Sequence, residues 1–248
     1  MPFFDHFEID IVSALSGQLV SAFEQLEAGD LNEWNVNQVP DEQGVYELFL
    51  NGVLVYVGKA GDLRDRLRDH RWKILGRQNI DINQVTFKCL TVHPNWTALA
   101  PEVSLIKHYK AQGLCAWNGI SFGPHDPGRP RETTNKPPDG FDAQFPIRQD
   151  WVPEGITAGD WNARDLLRRL KRNLPYCLRY EGLMNGGHND HNNTVVHVPQ
   201  DGMTAEDLLR LIAQTLPAGW QATRFPSHMI LYREHTNYIH GITIWPLQ

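Results

Sequence analysis

The sequence predicts an α+β fold organised on one short antiparallel hairpin, and three observations carry that prediction. From Gly44 to Ala60, Val45, Glu47 and Phe49 and then Val53, Val55 and Val57 alternate with a period of two, the sign of half-buried strands. Between the two runs stands Asn51-Gly52, whose residues both tolerate positive φ and so favour a tight two-residue turn. Beyond Gly58 the period becomes helical, with Arg66 and His70 at i and i+4 on one helix face. Pairing the strands of Tyr46 and Tyr56 brings two phenols, a guanidinium and an imidazole near one another by local geometry alone.

The other elements follow in order. Residues 8–29 place Ile9, Ile11, Val12, Leu15, Leu19, Val20, Phe23 and Leu26 at helical spacing, an amphipathic helix ending near Gly29. Residues 30–43 read as a polar connector, with Pro40 and Asp41-Glu42-Gln43 turning into the hairpin. The helix after Gly58 is expected to run to about Ile74. Between Lys59 and Arg77 seven Lys/Arg face three Asp, so a locally basic segment sits in an acidic chain. Arg64, Arg68 and Arg71 on its outer side are either a solvated face or phosphate contacts, which carry no sequence information.

Residues 84–92 alternate Val85, Phe87 and Cys89 as a third strand. Pro101 and Glu102 then open a helix with Val103, Leu105, Ile106 and Tyr109 inside and Gly113 at its end. Residues 123–148 hold six prolines and three glycines, which forbids a regular helix or central strand. His125, Arg129, Arg131, Lys136 and Arg148 lie in that loop, and Phe141 and Phe145 tie down its end. Loops of this length are functional or disordered.

A second unit is expected from Trp151. It has a helix over 160–174 with Trp161, Leu166, Leu167, Leu170 and Leu174 inside and Arg164, Arg168, Arg169, Lys171 and Arg172 on its other sides. Strands follow at Tyr176–Tyr180 and Thr194–Val198, then a helix over 203–216 capped by Thr204, and strands near 220–224, 228–233 and 238–244. The expected organisation is therefore 1–150, with an N-terminal helical arm (1–42) and the Gly/Pro-rich loop, followed by an α+β module over 151–248.

Composition bounds the function. The 248 residues are 41% apolar and 21% charged, ordinary for a globular chain with a real core, and the net charge of −6 leaves nucleic-acid binding to local clusters. Three scattered cysteines form neither a disulfide framework nor a zinc site. The opening MPFFDHFEID has acids where a signal peptide needs basic residues, and no apolar run approaches ~18 residues, so a cytoplasmic protein with no membrane contact is expected. His188-Asn189-Asp190-His191 is close enough for metal ligation but lacks a third anchored partner, and reads as a polar surface loop. No phosphate-binding loop, dinucleotide fingerprint or nucleophile elbow is present.

Strand, turn, strand, helix, strand and helix with these side chains resemble the GIY-YIG nuclease superfamily over about residues 43–120. The signature stands as Gly44-Val45-Tyr46 and Tyr56-Val57-Gly58, continuing into Lys59-Ala60, Leu63, Arg66 and Leu67. The family's arginine corresponds to Arg66, its metal-binding glutamate to Glu102 ahead of Leu105-Ile106-Lys107, and its asparagine to Asn118 after Trp117, at a somewhat longer separation than usual. His70, the N-terminal helical arm and the Gly/Pro-rich loop after Asn118 are similar to the type II restriction endonuclease branch. The resemblance implies a three-stranded antiparallel sheet flanked by helices and hydrolysis of double-stranded DNA to 5′-phosphate and 3′-hydroxyl ends. It further implies Mg²⁺ (or Mn²⁺), a homodimer on palindromic sites and a protective DNA methyltransferase partner. The segment beyond about residue 150 resembles no family.

The chemistry makes these residue types intelligible. Phosphodiester hydrolysis needs an activated water, positive charge over the phosphoryl oxygens and stabilisation of the leaving oxygen. Tyr46 suits the general base only if neighbouring charge draws its phenol down from its ordinary range near ~10, with His70 or Lys59 taking or offsetting that proton. Arg66 offers a planar fork to the phosphate, Tyr56 a hydrogen bond to it, and Glu102 one hard carboxylate suited to Mg²⁺ held largely by water and phosphate. Arg129, Arg131 and Lys136 are candidates for guanine edges, and Arg64 and Arg71 for the backbone. Two rival readings remain: a structure-specific or partner-directed nuclease in repair, mobile elements or anti-phage defence, and a non-catalytic DNA-binding module.

Overall fold

A computed structural model describes residues 11–93, 101–120, 122–123, 128–182 and 188–246. Its contacts divide it into two compact units, Met1–Arg71 with Asp81–Ile120 and Trp72–Ile80 with Ser121–Gln248. By contacts, residues 121–150 thus group with the C-terminal residues. No helix among the described residues is long and apolar enough to cross a membrane.

The first unit is a four-stranded antiparallel sheet with helices against it. In chain order it contains α1 (Ile11–Glu24), β1 (Gly29–Asp30), α2 (Glu33–Gln38), β2 (Gly44–Leu50), β3 (Val53–Ala60), α3 (Leu63–Leu75, residues to Arg71 in this unit), β4 (Val85–Thr91) and α4 (Pro101–Lys110). The strand order is β1-β4-β2-β3. The expected three strands are all present; the fourth is β1, two residues pairing Gly29 and Asp30 with Phe87 and Thr86. It lies where the sequence suggested only the end of a helix. The supposed polar connector 30–43 also holds α2, because the Asn32 side chain caps it by accepting from the Asn35 amide at 2.8 Å and Val36 anchors it in the core. Residues 8–10 of the expected first helix lie outside the described residues.

The hairpin turns as its dipeptide dictates, with Asn51 at φ 51° and Gly52 at φ 78°. β2 is buried on both faces rather than half-buried. On one face Val45 joins Leu19, Phe23, Leu54, Val57, Leu105 and Tyr109 in a core. On the other lie Tyr46 and Leu48. Val103, expected inside, is 47% exposed, so the inward face of α4 is Leu105 and Tyr109. After α4 the chain runs beside β3: the Cys115 amide donates to the Leu54 carbonyl at 3.1 Å and the Trp117 amide to that of Val55 at 2.8 Å.

In the second unit a sheet of order β10-β8-β9-β6 forms from β6 (Cys177–Tyr180), β8 (Trp220–Arg224), β9 (His228–Arg233) and β10 (Ile242–Trp245), with β6 parallel to β9. A separate pair joins β5 (Gly159–Asn162) to β7 (Val195–Val198). The helices are α5 (Gly140–Gln144), α6 (Ala163–Arg172), α7 (Asn189–Asn193) and α8 (Ala205–Thr215). Leu166, Leu167 and Leu170 of α6 pack with Leu208, Leu209 and Ile212 of α8 in one core.

Three expectations in this unit are corrected. The helix expected over 160–174 begins at Ala163, because residues 159–162 pair as β5, leaving Trp161 half-buried on a strand while the Asn162 side chain caps α6. The Pro-rich segment does hold regular structure, a single turn at Arg129–Arg131 and α5, which buries Phe141 completely. Finally, His188–His191 is no surface loop: His191 lies in α7, fully buried, with its ring 4.5 Å from that of Trp220. Residues 183–187 of the neighbouring loop, and His125 of the Pro-rich one, lie outside the described residues.

Charge holds the Pro-rich segment down. Buried Asp142 ion-pairs with buried Arg77 at 2.8 Å and with Arg131, and buried Glu132 accepts from Arg179 and from the Tyr232 hydroxyl. Burial of such pairs costs desolvation, which each carboxylate offsets with two partners.

Candidate active site

The β2–β3 register sets Tyr46 directly across from Gly58, and Tyr56 across from Leu48, two positions away on the same face. Only a residue without a side chain fits opposite Tyr46: a Cβ on Gly58 would lie 2.4 Å from the Tyr46 hydroxyl oxygen and 2.8 Å from Cε1 of Tyr56. The glycine therefore admits the phenol.

α3 lays His70 over this face. The Tyr46 hydroxyl and His70 Nε2 are 2.7 Å apart, and the two residues are 1% and 3% exposed. The three rings of Tyr46, Tyr56 and His70 form a cluster with centroids 5.4–6.0 Å apart. The Tyr46 phenol is not drawn down by neighbouring charge as expected: burial, reinforced by the nearby Tyr56 and opposed by Arg66, pushes it well above its ordinary range. Burial also pushes Tyr56 up, against a hydrogen bond with Tyr46 and the charge of Arg66. Tyr46 thus keeps its proton unless an acceptor stands ready, and the imidazole at 2.7 Å is such an acceptor in its Nδ1–H tautomer. The side chain of half-buried Arg66 makes no hydrogen bond or ion pair among the described residues, which leaves its guanidinium available.

Glu102, in the first turn of α4, supplies the carboxylate. Its Oε1 is 2.9 Å from the Lys59 ammonium, while its buried Oε2 has no hydrogen-bond partner among the described residues. An orphaned carboxylate oxygen beside a half-exposed lysine is a hard ligand awaiting a cation, so the residues present fit a divalent ion bound through one protein carboxylate. Among the described residues no group of three or more His, Cys, Asp or Glu surrounds a common point. Mg²⁺ tolerates such sparse ligation by keeping its waters.

Asn118 does something the sequence does not reveal. Its Oδ1 accepts from the Val57 amide at 2.9 Å and its Nδ2 donates to the Val57 carbonyl at 2.8 Å. It clasps the backbone between Tyr56 and Gly58. Lys59, a candidate to offset the Tyr46 proton, is paired instead with Glu102.

The candidate DNA contacts separate. Arg64 donates from Nε to the Val39 carbonyl at 2.6 Å, and the buried Nε of Arg71 has no partner. In the second unit Arg129 pairs with Glu234 at 3.1 Å and Arg131 with Asp142, whereas Lys136 is exposed and its ammonium has no partner among the described residues.

Residues 51–149 match the family model described as the Eco29kI GIY-YIG domain. Similar solved structures include the GIY-YIG N-terminal endonuclease domain of UvrC from Thermotoga maritima, a point mutant bound to its catalytic divalent cation. It is 29% identical over 31% of this chain and 87% of that one, with a TM-score of 0.25. The same domain bound to magnesium is 27% identical over 32% of this chain and 94% of that one, with a TM-score of 0.24. No curated protein matches the chain. Over residues 51–149 the chain is thus similar to the Eco29kI GIY-YIG domain.

Proposed function

We propose that this chain is a divalent-metal-dependent endonuclease that hydrolyses double-stranded DNA at specific sites, in the manner of a type II restriction enzyme. The observation that carries the reading is the Tyr46–His70 hydrogen bond of 2.7 Å. Two titratable groups buried together need a reason, and passing a proton is one.

In this mechanism a water attacks phosphorus and gives its proton to the Tyr46 oxygen, while the phenol's own proton passes to His70 Nε2. The bond from phosphorus to the 3′ oxygen breaks, leaving a 5′-phosphate and a 3′-hydroxyl that solvent protonates. Arg66 holds the equatorial oxygens with its fork, and Tyr56 donates to one of them. Glu102 would hold Mg²⁺ or Mn²⁺ through Oε2, and the ion would supply positive charge over the phosphoryl group. Lys59 keeps the carboxylate oriented through Oε1. Asn118 acts as a positioning residue for the strand of Tyr56.

His70 and the Eco29kI description favour restriction over repair. That choice brings a homodimer matched to a two-fold site, a DNA methyltransferase that protects host DNA, and a cytoplasmic setting. Of the loop cations, Lys136 is best placed for a base edge, since Arg129 and Arg131 would first have to leave their carboxylates. Arg64 and Arg71 suit the phosphate backbone.

The test is incubation of unmodified plasmid with and without Mg²⁺, beside Glu102→Ala and Arg66→Ala. Discrete fragments that need Mg²⁺ and vanish in both variants support the reading. A smear or a preference for branched DNA supports the structure-specific rival, and intact plasmid across many sequences rejects the enzyme.

A further inference from the structure

Outside the nuclease site, α6 carries the most concentrated charge among the described helices. Its ten residues hold Arg164, Arg168, Arg169, Lys171 and Arg172 against Asp165 alone. Leu166, Leu167 and Leu170 are fully buried, so the helix is fixed; Arg168, Arg169 and Arg172 are exposed, Arg164 is half-buried, and Lys171 donates to the Leu178 carbonyl at 2.7 Å.

Arg164, Arg168 and Arg172 recur at i, i+4 and i+8 and form one stripe. Four residues rise about 6 Å, so the stripe extends about 12 Å, the axial length of three to four nucleotides of one strand at ~3.4 Å per phosphate. Beside it lies Tyr180 of β6. Burial raises its phenol, and the charges that oppose this are the guanidiniums of Arg168, Arg164 and Arg172. Its hydroxyl makes no hydrogen bond among the described residues and remains a donor.

Folding does not explain the stripe. Like charges at i,i+4 repel, and the stripe contains two such pairs. Cations in the last turn suit the helix dipole, which would account for Arg172, but Arg164 lies in the first turn, where a cation is unfavourable. The acid nearest the stripe is Asp165, 3.9 Å from Arg168, with both side chains about half or more exposed. Among the described residues the Arg164 side chain has one hydrogen bond, 3.3 Å to Asn192, and a buried Nε without a partner, and the Arg172 side chain has no partner.

We propose that this stripe, with the Tyr180 hydroxyl, seats the phosphate backbone of a DNA strand, giving the C-terminal unit a nucleic-acid contact of its own. The choice of DNA over another polyanion rests on the nuclease reading; the phosphate chemistry does not. Such contacts position the chain without reading sequence.

The experiment measures anisotropy of a labelled 30-base-pair duplex with the full chain in EDTA, from 50 to 200 mM NaCl. It compares wild type, the triple variant Arg164→Gln/Arg168→Gln/Arg172→Gln and the corresponding triple lysine variant. Three lost phosphate contacts should reduce the slope of log affinity against log salt by about 2.7, worth about 40-fold across this salt range. The lysine variant should keep the wild-type slope, because point charges suffice. The glutamine variant should melt no lower than wild type, since repulsion has been removed. If it does not fold, Arg172→Glu alone should reduce the slope by about 1 or more.

Unchanged affinity and slope in the glutamine variant overturn the proposal, as does a wild-type chain that does not bind duplex. A loss of binding to poly-glutamate but not to DNA assigns the stripe to an acidic protein and overturns it too. Plasmid cleavage is run in parallel. Binding lost with the stripe but no cleavage by wild type rejects the nuclease and leaves this contact standing; the converse rejects the contact alone.

Discussion

Asn118 imitates a neighbouring strand for one residue, pairing its amide side chain with both backbone groups of Val57 at 2.9 and 2.8 Å. The residue so held lies between Tyr56 and Gly58, the two that shape the pocket of the Tyr46 phenol. Asn118→Ala leaves an amide and a carbonyl without partners in a half-buried place. A cost of about 2 kcal/mol is expected. In a domain of this size that lowers Tm by about 4–8 °C, readable by calorimetry. Asn118→Asp should fall between wild type and alanine, since it keeps the acceptor and loses the donor. Equal melting of all three would dismiss the clasp.

Gly58→Ala puts a methyl 2.4 Å from the Tyr46 hydroxyl oxygen. The phenol must move away from His70, and a displacement of an ångström is enough to cost about 100-fold in rate. Single-turnover cleavage should fall by at least that factor while the far-ultraviolet circular dichroism stays that of wild type. Retained cleavage would mean that the phenol's position is not critical.

If Tyr46 and His70 pass one proton between them, they act as a unit and their losses do not add. Tyr46→Phe and His70→Leu should each reduce cleavage by about 10²–10⁴. The double variant should be no worse than the poorer single one. Losses that multiply would separate the two residues and break the proposed path.

His191 makes stability depend on acid. Burial, then the charge of His188, lowers its imidazole to about 4, with Asp190 opposing, whereas the unfolded chain titrates near ~6.5. Between those values the unfolded state binds the additional proton, so stability is full above about pH 6.5 and is lost as pH falls towards 4. By pH 4.5 the loss should be about 2 kcal/mol. His191→Leu, which removes two ring nitrogens that have no partner among the described residues, should flatten the slope without harm at pH 7. Melts followed by far-ultraviolet circular dichroism at pH 7 and 4.5 decide it; the same acid loss in the leucine variant would place the effect elsewhere.

Much of the site is legible in the sequence because it is local. Asn51-Gly52 fixes the turn, the alternation marks the strands, and thirteen helical residues beginning at Leu63 carry His70 back over the hairpin. Contacts made across long separations are the ones that escape. Nothing near Asn118 announces a partner at Val57, 61 residues away, and nothing in Lys59 announces Glu102. β1 is too short to show a period at all. His191 misleads for a different reason: Asn189–Asn193 has the composition of a surface turn, and packing against Trp220 overrides it. Both rows of β2 are buried, so alternation identifies a strand there without telling which face meets the core.

Removed from its surroundings, the segment Val53–Ala60, VLVYVGKA, is of the kind that stacks on copies of itself: apolar, rich in valine and free of proline. β3 is the outermost strand of its sheet, yet residues 115–118 run along its open side and occupy the Leu54 and Val55 carbonyls and both groups of Val57. A second molecule could extend the sheet there only by first peeling that segment off. The asparagine that holds one wall of the pocket therefore also guards the chain against self-templated aggregation, and its loss should be felt during expression and storage as well as in the reaction.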